Sequence, residues 1–203
     1  MMEPMIQTAA VDRENQDRGV VIVRGSRRVL AVADGAGGMS GGSEAAELAA
    51  ALVRLNAGRL ADAEACEAIL REMDEAIARH PVAGETTCAL AIAEGDQVFG
   101  ASVGDSGVWL IGDNDFLNLT ENQARKPLLG SETARPVAFS RKTVPGERLL
   151  LATDGLLKYA PAERIAAICR QPSDQPAPNR LIDAVRYRSG RLPDDVTVIF
   201  AQL

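Results

Sequence analysis

The chain has 203 residues, of which 46% are hydrophobic and 3% aromatic, and its formal net charge is −6. This length allows one layered domain with a substantial core. The acidic balance argues against a general nucleic-acid binder, which needs a basic surface to neutralise phosphates.

The cysteines and the hydropathy pattern indicate the cellular compartment. Cys66, Cys88 and Cys169 are odd in number and far apart, which argues against disulfides and a zinc knuckle. The N-terminal residues lack the basic and apolar regions of a secretory signal, and no apolar run is long enough to cross a membrane. We therefore expect a cytoplasmic protein, with core thiols and without a membrane or nucleic acid as its partner.

The first part of the chain predicts three strands and then two helices. The expected strands span residues 6–11, 19–24 and 28–33, and the expected helices span 43–57 and 62–79. Gly25 and Ser26 separate two β-branched runs and predict a hairpin. A glycine-rich loop follows Asp34, and Ser43 is the predicted N-cap of the first helix.

The hydrophobic period then changes to that of strands. Strands are predicted at 86–94, 97–105, 107–113, 115–120, 136–144, 147–154 and 195–203, with helices at 161–171 and 178–189. Stacking two mainly antiparallel sheets, each flanked by a helix pair, would bury all of these apolar faces. The sequence therefore predicts an α+β fold, a four-layer α-β-β-α sandwich.

Four aspartates stand where predicted strands begin or end: Asp17, Asp34, Asp154 and Asp194. Carboxylates at strand ends can converge at one edge of a sandwich, and their oxygens suit Mg²⁺ and Mn²⁺ equally. Glycine follows both Asp34 and Asp154, and a glycine lets its backbone approach an ion closely. A single Asp-Gly pair is more often a turn, so the indication of a metal site depends on the joint pattern.

The order of these segments resembles the bacterial form of the protein phosphatase 2C family, the metal-dependent Ser/Thr phosphatases. The matching segments are ENQD (14–17), VADGAGG (32–38), GETTCAL (84–90), ASVGDSG (101–107), LLLATDGLL (149–157) and PDDVTVI (193–199). The family fold is the sandwich that the predicted elements already indicate. The resemblance implies one phosphatase 2C-like domain over residues 1–203, with a shortened flap at 121–146.

The resemblance also implies a role for each matched position. Asp34 would bridge two Mn²⁺ or Mg²⁺ ions, the carbonyl of Gly35 would hold the second, and Asp154 and Asp194 would bind the first. Asp17 would act through metal-bound water. In the family the metal-binding aspartate of this motif stands three residues before the threonine, so the resemblance implies Asp194 rather than Asp195 as the ligand. The implied reaction is attack of a metal-activated water on phosphoserine or phosphothreonine.

Some positions depart from the family pattern. Gln16 stands where a glutamate is usual, which predicts a weaker second ion. Asp12 occupies the usual place of the phosphate-binding arginine, which leaves Arg13, one residue later, as the candidate for that role. Asn122 stands in place of an aspartate, so a third metal would bind poorly. We expect Asp105 to be a structural turn carboxylate rather than a ligand.

The implied partner is a phosphorylated protein, with the enzyme opposing a Ser/Thr kinase and acting as a monomer. Two alternatives stay open on the same residues. One is a catalytically weak phosphatase-like regulatory or binding module, and the other is a phosphatase for small phosphorylated metabolites.

Overall fold

The computed structural model describes residues 3–11, 14–36 and 40–203. The strands in this part of the chain are β1 (Met5–Ala9), β2 (Asp17–Arg24), β3 (Arg27–Asp34), β4 (Cys88–Glu94), β5 (Gln97–Val103), β6 (Gly107–Ile111), β7 (Phe116–Asn118), β8 (Val137–Lys142), β9 (Arg148–Ala152) and β10 (Val196–Gln202). The helices are α1 (Gly42–Asn56), α2 (Ala63–Ala78), α3 (Asp154–Leu157), α4 (Ala162–Arg170) and α5 (Ala177–Val185).

The strands form two five-stranded antiparallel sheets with the orders β1-β10-β9-β6-β7 and β2-β3-β4-β5-β8. Aliphatic side chains from both sheets pack between them, including Leu30, Ala91, Leu149 and Ile199, which are fully buried. Strands buried on both faces read as continuous apolar runs, which explains the unbroken hydrophobic stretches of β3, β4 and β9.

Helices cover both outer faces of the sheet pair. Helices α1 and α2 pack on the β2-β3-β4-β5-β8 sheet through side chains such as Val53, Leu70 and Met73. Helices α3, α4 and α5 pack on the other sheet, with Ile165 and Leu181 in the contact. The four-layer sandwich is therefore confirmed, although one outer layer holds a third, single-turn helix that the sequence pattern did not predict.

The start of α1 differs from the prediction. The N-cap is Gly41, with φ of 89°, and not Ser43. A Cβ at Gly41 would lie 2.1 Å from the carbonyl oxygen of Val82, so only glycine fits this left-handed, crowded position. Ser43 lies within the first turn, where its Oγ accepts a hydrogen bond from Arg18 Nη2 at 3.1 Å.

The register of the strands brings the four aspartates to one end of the sandwich. Asp17 opens β2 and pairs directly with Asp34, the last residue of β3. In the facing sheet, Asp154 follows β9 and Asp194 precedes β10, which pairs with β9. None of the helices in the described ranges combines the length and apolar character needed to cross a membrane.

Candidate metal centre

A cleft of about 280 Å³ opens at this end of the two sheets. The acidic residues that line it are Asp34, Asp105, Asp154, Asp194 and Asp195, and the basic ones are Arg125, Lys126 and Lys158. Three of the four aspartates predicted from strand ends therefore share one cleft. The fourth, Asp17, is only 3% exposed and does not line the cleft.

Asp34 and Gly35 are held by backbone contacts to the segment before β4. The amide of Asp34 donates to Thr87 Oγ1 at 3.0 Å, and its carbonyl accepts from the amide of Thr87 at 2.9 Å. Gly35 packs against the start of α1, where a Cβ would lie 2.3 Å from the carbonyl oxygen of Gly42. The glycine after Asp34 is thus required by close backbone packing, and any side chain would displace the peptide that follows the carboxylate.

Asp17 links the two sheets through Thr153. Thr153 Oγ1 donates to Asp17 Oδ2 at 2.8 Å and accepts from the amide of Thr197 at 2.9 Å. The other carboxylate oxygen, Asp17 Oδ1, is buried without a hydrogen-bond partner. A buried carboxylate oxygen that lacks a protein partner is suited to a cation or an ordered water.

Asp194 and Asp195 have different surroundings. Asp195 Oδ1 accepts from the amide of Val11 at 2.8 Å, and its Oδ2 accepts from the amide of Gln16 at 2.7 Å. Asp194 is half-buried in the cleft, and its Oδ1 accepts only from the neighbouring amide of Asp195 at 3.1 Å. Asp195 therefore anchors the chain around Gln16, whereas Asp194 retains an oxygen for a ligand.

Burial, together with the crowding of carboxylates, raises the pKa values of three of these aspartates. Burial is the largest cause at Asp34, followed by the charges of Asp17, Asp154, Asp105 and Asp194, and together they raise its pKa to about 9. Burial also raises the pKa of Asp17 to about 7, although hydrogen bonds with Thr153 and Thr197 oppose the shift. The pKa of Asp154 is raised by burial and then by Asp105 and Asp194. Such a group of like charges favours protons or divalent cations as counter-ions.

The donor set fits hard divalent cations, since it consists of carboxylate and backbone oxygens. Within the described ranges, however, no three His, Cys, Asp or Glu side chains are arranged as a ready ligand set for one ion. Asp34 and Asp194 act on each other through their charges, and a side-chain hydrogen bond with Asp34 lowers the pKa of Asp154, so these carboxylates lie close together. The fit to an ion therefore rests on donor chemistry and on the unpartnered Asp17 Oδ1.

Other residues singled out in the sequence have different positions. Asp12 and Arg13 lie outside the described residues. Asn122 is exposed in the segment between β7 and β8 and does not line the cleft. Asp105, which we expected to be a turn residue, lines the cleft and forms an ion pair with Arg125 Nε at 2.6 Å. Lys158 also lines the cleft, and the sequence motifs did not single it out. Its position four residues after Asp154 is the signal that could have identified it.

The cysteines take no part in this site. Cys66, Cys88 and Cys169 are buried and unpaired, and burial is the main cause that raises the pKa of each thiol to about 12. A thiol with so high a pKa is a poor nucleophile at neutral pH.

Comparisons with known proteins agree with this arrangement. The family model described as protein phosphatase 2C matches residues 8–186. The serine/threonine protein phosphatase PstP of Mycobacterium tuberculosis is 26% identical over 232 aligned residues, covering 92% of this chain and 44% of that protein. The chain thus spans less than half the length of the curated relatives it matches.

Solved structures have the same fold. The catalytic domain of PstP in complex with two manganese ions is 25% identical, with a TM-score of 0.78 and coverage of 98% of this chain and 97% of the other. The serine/threonine phosphatase Stp1 from Staphylococcus aureus has a TM-score of 0.80 at 19% identity, covering 100% of this chain and 95% of the other. At this level of identity the similarity shows that the two chains share a fold and nothing more.

Proposed function

Because the chain belongs to the protein phosphatase 2C family, we propose that it is a metal-dependent protein Ser/Thr phosphatase. The observation that carries the proposal is the convergence of carboxylates from both sheets on one surface cleft, above a buried carboxylate oxygen without a protein partner. The cleft is open to solvent, as attack on a phosphorylated side chain of another protein requires.

The roles we propose are those that the resemblance to the family implies. Asp34 would bridge two Mn²⁺ or Mg²⁺ ions, Asp154 and Asp194 would complete the first site, and the carbonyl of Gly35 would contribute to the second. Asp17, which is buried and pairs with Asp34 across β2 and β3, would act through water. PstP, whose catalytic domain carries two manganese ions, supports the number of ions.

Bound there, two divalent ions would supply an activated water and positive charge facing the phosphoryl oxygens. The chain's own contribution is to hold the carboxylates in place. Thr153 fixes the buried Asp17 against the facing sheet, and Thr87 fixes the peptide of Asp34. Asp195 holds the backbone at Gln16, which lines the cleft. A carboxylate pKa raised to about 9 also means that binding of ions at neutral pH releases protons.

We also propose that Arg13 contributes to binding of the substrate phosphate and that a third ion is weakly held. Residues 119–136, between β7 and β8, contain turns and an isolated bridge but no helix, which supports a reduced flap. We further propose that residues 1–203 are one phosphatase 2C-like domain. It would act as a monomer in the cytoplasm on a phosphorylated protein and oppose a Ser/Thr kinase.

The same open cleft would admit small phosphorylated metabolites, so substrate size is the second question. Hydrolysis of p-nitrophenyl phosphate with Mn²⁺, with Mg²⁺ and with EDTA tests the enzyme proposal, and Asp34→Asn is the matched inactive variant. Turnover that requires metal and Asp34 is expected. A wild-type protein that lacks metal-dependent turnover but still binds a phosphoprotein would identify a regulatory module instead.

A panel of phosphoserine and phosphothreonine peptides against sugar and nucleotide monophosphates then separates the two substrate classes. We expect the higher kcat/KM values for the phosphopeptides. Higher values for the metabolites would overturn the protein-phosphatase proposal but leave the metal mechanism intact.

A further inference from the structure

The negative charge of the cleft and its substrate exceeds the positive charge that two divalent metal ions would supply. Five aspartates line it, and a phosphomonoester adds a charge of about −2 at neutral pH. Two divalent cations would offset only part of this negative charge, so a protein cation near the ions would favour entry of the substrate.

Three basic residues line the cleft, but they differ in availability. The guanidinium of Arg125 forms an ion pair with Asp105 at 2.6 Å, so its charge already offsets that carboxylate before a substrate binds. Lys126 lies in the segment between β7 and β8, before Pro127. Lys158 directly follows α3, and its amide donates to the carbonyl of Asp154 at 2.9 Å, so the two side chains are one helical turn apart on the same side.

The side chain of Lys158 combines exposure with a defined direction. It is exposed, and its ammonium lies over the ring of Tyr159, 5.1 Å from the ring centroid. A hydrogen bond with the Tyr159 side chain and then the negative charge of Asp154 raise the pKa of Lys158, so the ammonium stays charged at neutral pH. A charged group of this kind costs little to reorient toward an incoming anion, because it is not buried in a fixed ion pair.

On this geometry we propose that Lys158 binds the phosphate of the substrate beside the Asp154 carboxylate and thereby sets affinity for phosphorylated ligands. The proposal takes its class of substrate from the proposed function. Its test does not depend on that function, because the probe is inorganic phosphate. A lysine at this position acts as a point charge, so Lys158→Arg keeps the charge and Lys158→Met removes it at similar length.

The test uses the full chain loaded with Mn²⁺ and measures binding of orthophosphate by calorimetry. Lys158→Met should weaken orthophosphate binding by about tenfold, and Lys158→Arg should restore most of it. Lys142→Met is the matched control, since Lys142 is an exposed lysine at the far end of β8 and does not line the cleft. It should leave orthophosphate affinity unchanged.

Two further measurements distinguish a specific contact between Lys158 and phosphate from an effect on the metal site or on the general charge of the cleft. Affinity for Mn²⁺ alone should stay the same or rise in Lys158→Met, because a positive charge near Asp154 is removed. If Mn²⁺ affinity falls while orthophosphate affinity of the loaded protein is unchanged, Lys158 positions the metal site and the proposal is overturned. It is also overturned if Lys126→Met weakens orthophosphate binding as much as Lys158→Met, since the effect would then be general electrostatics.

In the active enzyme, Lys158→Met should raise both the KM for p-nitrophenyl phosphate and the inhibition constant of orthophosphate. The change in kcat should be smaller. If the wild type shows no turnover but still binds orthophosphate through Lys158, the proposed function fails and this assignment stands. If turnover is normal and Lys158→Met changes neither constant, the proposed function stands and this assignment fails.

Discussion

Thr153 offers a sharp test of how the two sheets hold the buried carboxylate. In Thr153→Val, Asp17 Oδ2 loses its donor at 2.8 Å and the amide of Thr197 loses its acceptor at 2.9 Å. A hydrogen bond to a charged group contributes about 1.5–3 kcal/mol and a neutral one about 0.5–1.5 kcal/mol. We therefore expect the free energy of unfolding to fall by about 2–4 kcal/mol. In a chain of this size that lowers Tm by roughly 4–16 °C.

The same substitution should weaken metal binding through the pKa of Asp17. The hydrogen bond with Thr153 lowers that pKa, so its loss raises the value further above about 7 and more of the carboxyl is protonated at neutral pH. Each further pKa unit costs about tenfold in affinity for an ion that needs the ionised form, and the loss should recover as pH rises.

Calorimetric titration of Mn²⁺ at pH 7 and pH 8.5 measures this effect, with thermal unfolding of the same samples. Thr153→Ser is the matched control, because it keeps the hydroxyl and removes only a methyl group, at a cost of about 0.8 kcal/mol. The reasoning is refuted if Thr153→Val binds Mn²⁺ like the wild type at pH 7, or if Thr153→Ser loses as much affinity as Thr153→Val.

Further predictions concern the backbone, the charges and the anchor of the site. Gly35→Ala should abolish most metal-dependent turnover, since its Cβ meets backbone at 2.3 Å, whereas Gly58→Ala, with nothing within 4 Å, should match the wild type in kinetic assays. In the metal-free protein the raised pKa of Asp34 means that the native state binds more protons than the unfolded chain between about pH 4 and 9, so stability should fall as pH rises through this range. Asp34→Asn should flatten that dependence in pH-dependent thermal scans, and an unchanged slope would contradict it. Asp195→Ala removes the acceptor for two backbone amides and should lower the free energy of unfolding by about 1–3 kcal/mol in denaturant titrations, more than an exposed Asp113→Ala.

Much of the fold could be predicted because hydrophobic period distinguishes strands from long helices. The hairpin of β2 and β3 follows from two apolar runs with Gly25 between them, and its register pairs Arg24 with Arg27 as a two-residue turn requires. Helix α3 was missed because four residues are too few for a helical period to show. The N-cap of α1 was wrong because the close approach of Val82 to Gly41 is a long-range contact that local cap preferences do not record.

The candidate site was predictable only in part, for a similar reason. Strand ends identify Asp34, Asp154 and Asp194 from local pattern. The contacts of Thr153 with Asp17 and of Asp195 with Gln16 join residues more than 130 positions apart, and only the packing of the two sheets brings them together. The presence of Asp105 and Lys158 in the cleft likewise depends on how loops at the sheet edge fold.

The central claim is that carboxylates from both sheets hold two divalent ions, with Asp34 shared between them. Calorimetric titration of the metal-free chain with Mn²⁺ tests it most directly. Two bound ions per chain are expected for the wild type, with both lost or strongly weakened in Asp34→Asn and one retained in Gly35→Ala. A wild type that binds no ion, or an Asp34→Asn variant that still binds two ions with wild-type affinity, would contradict the account.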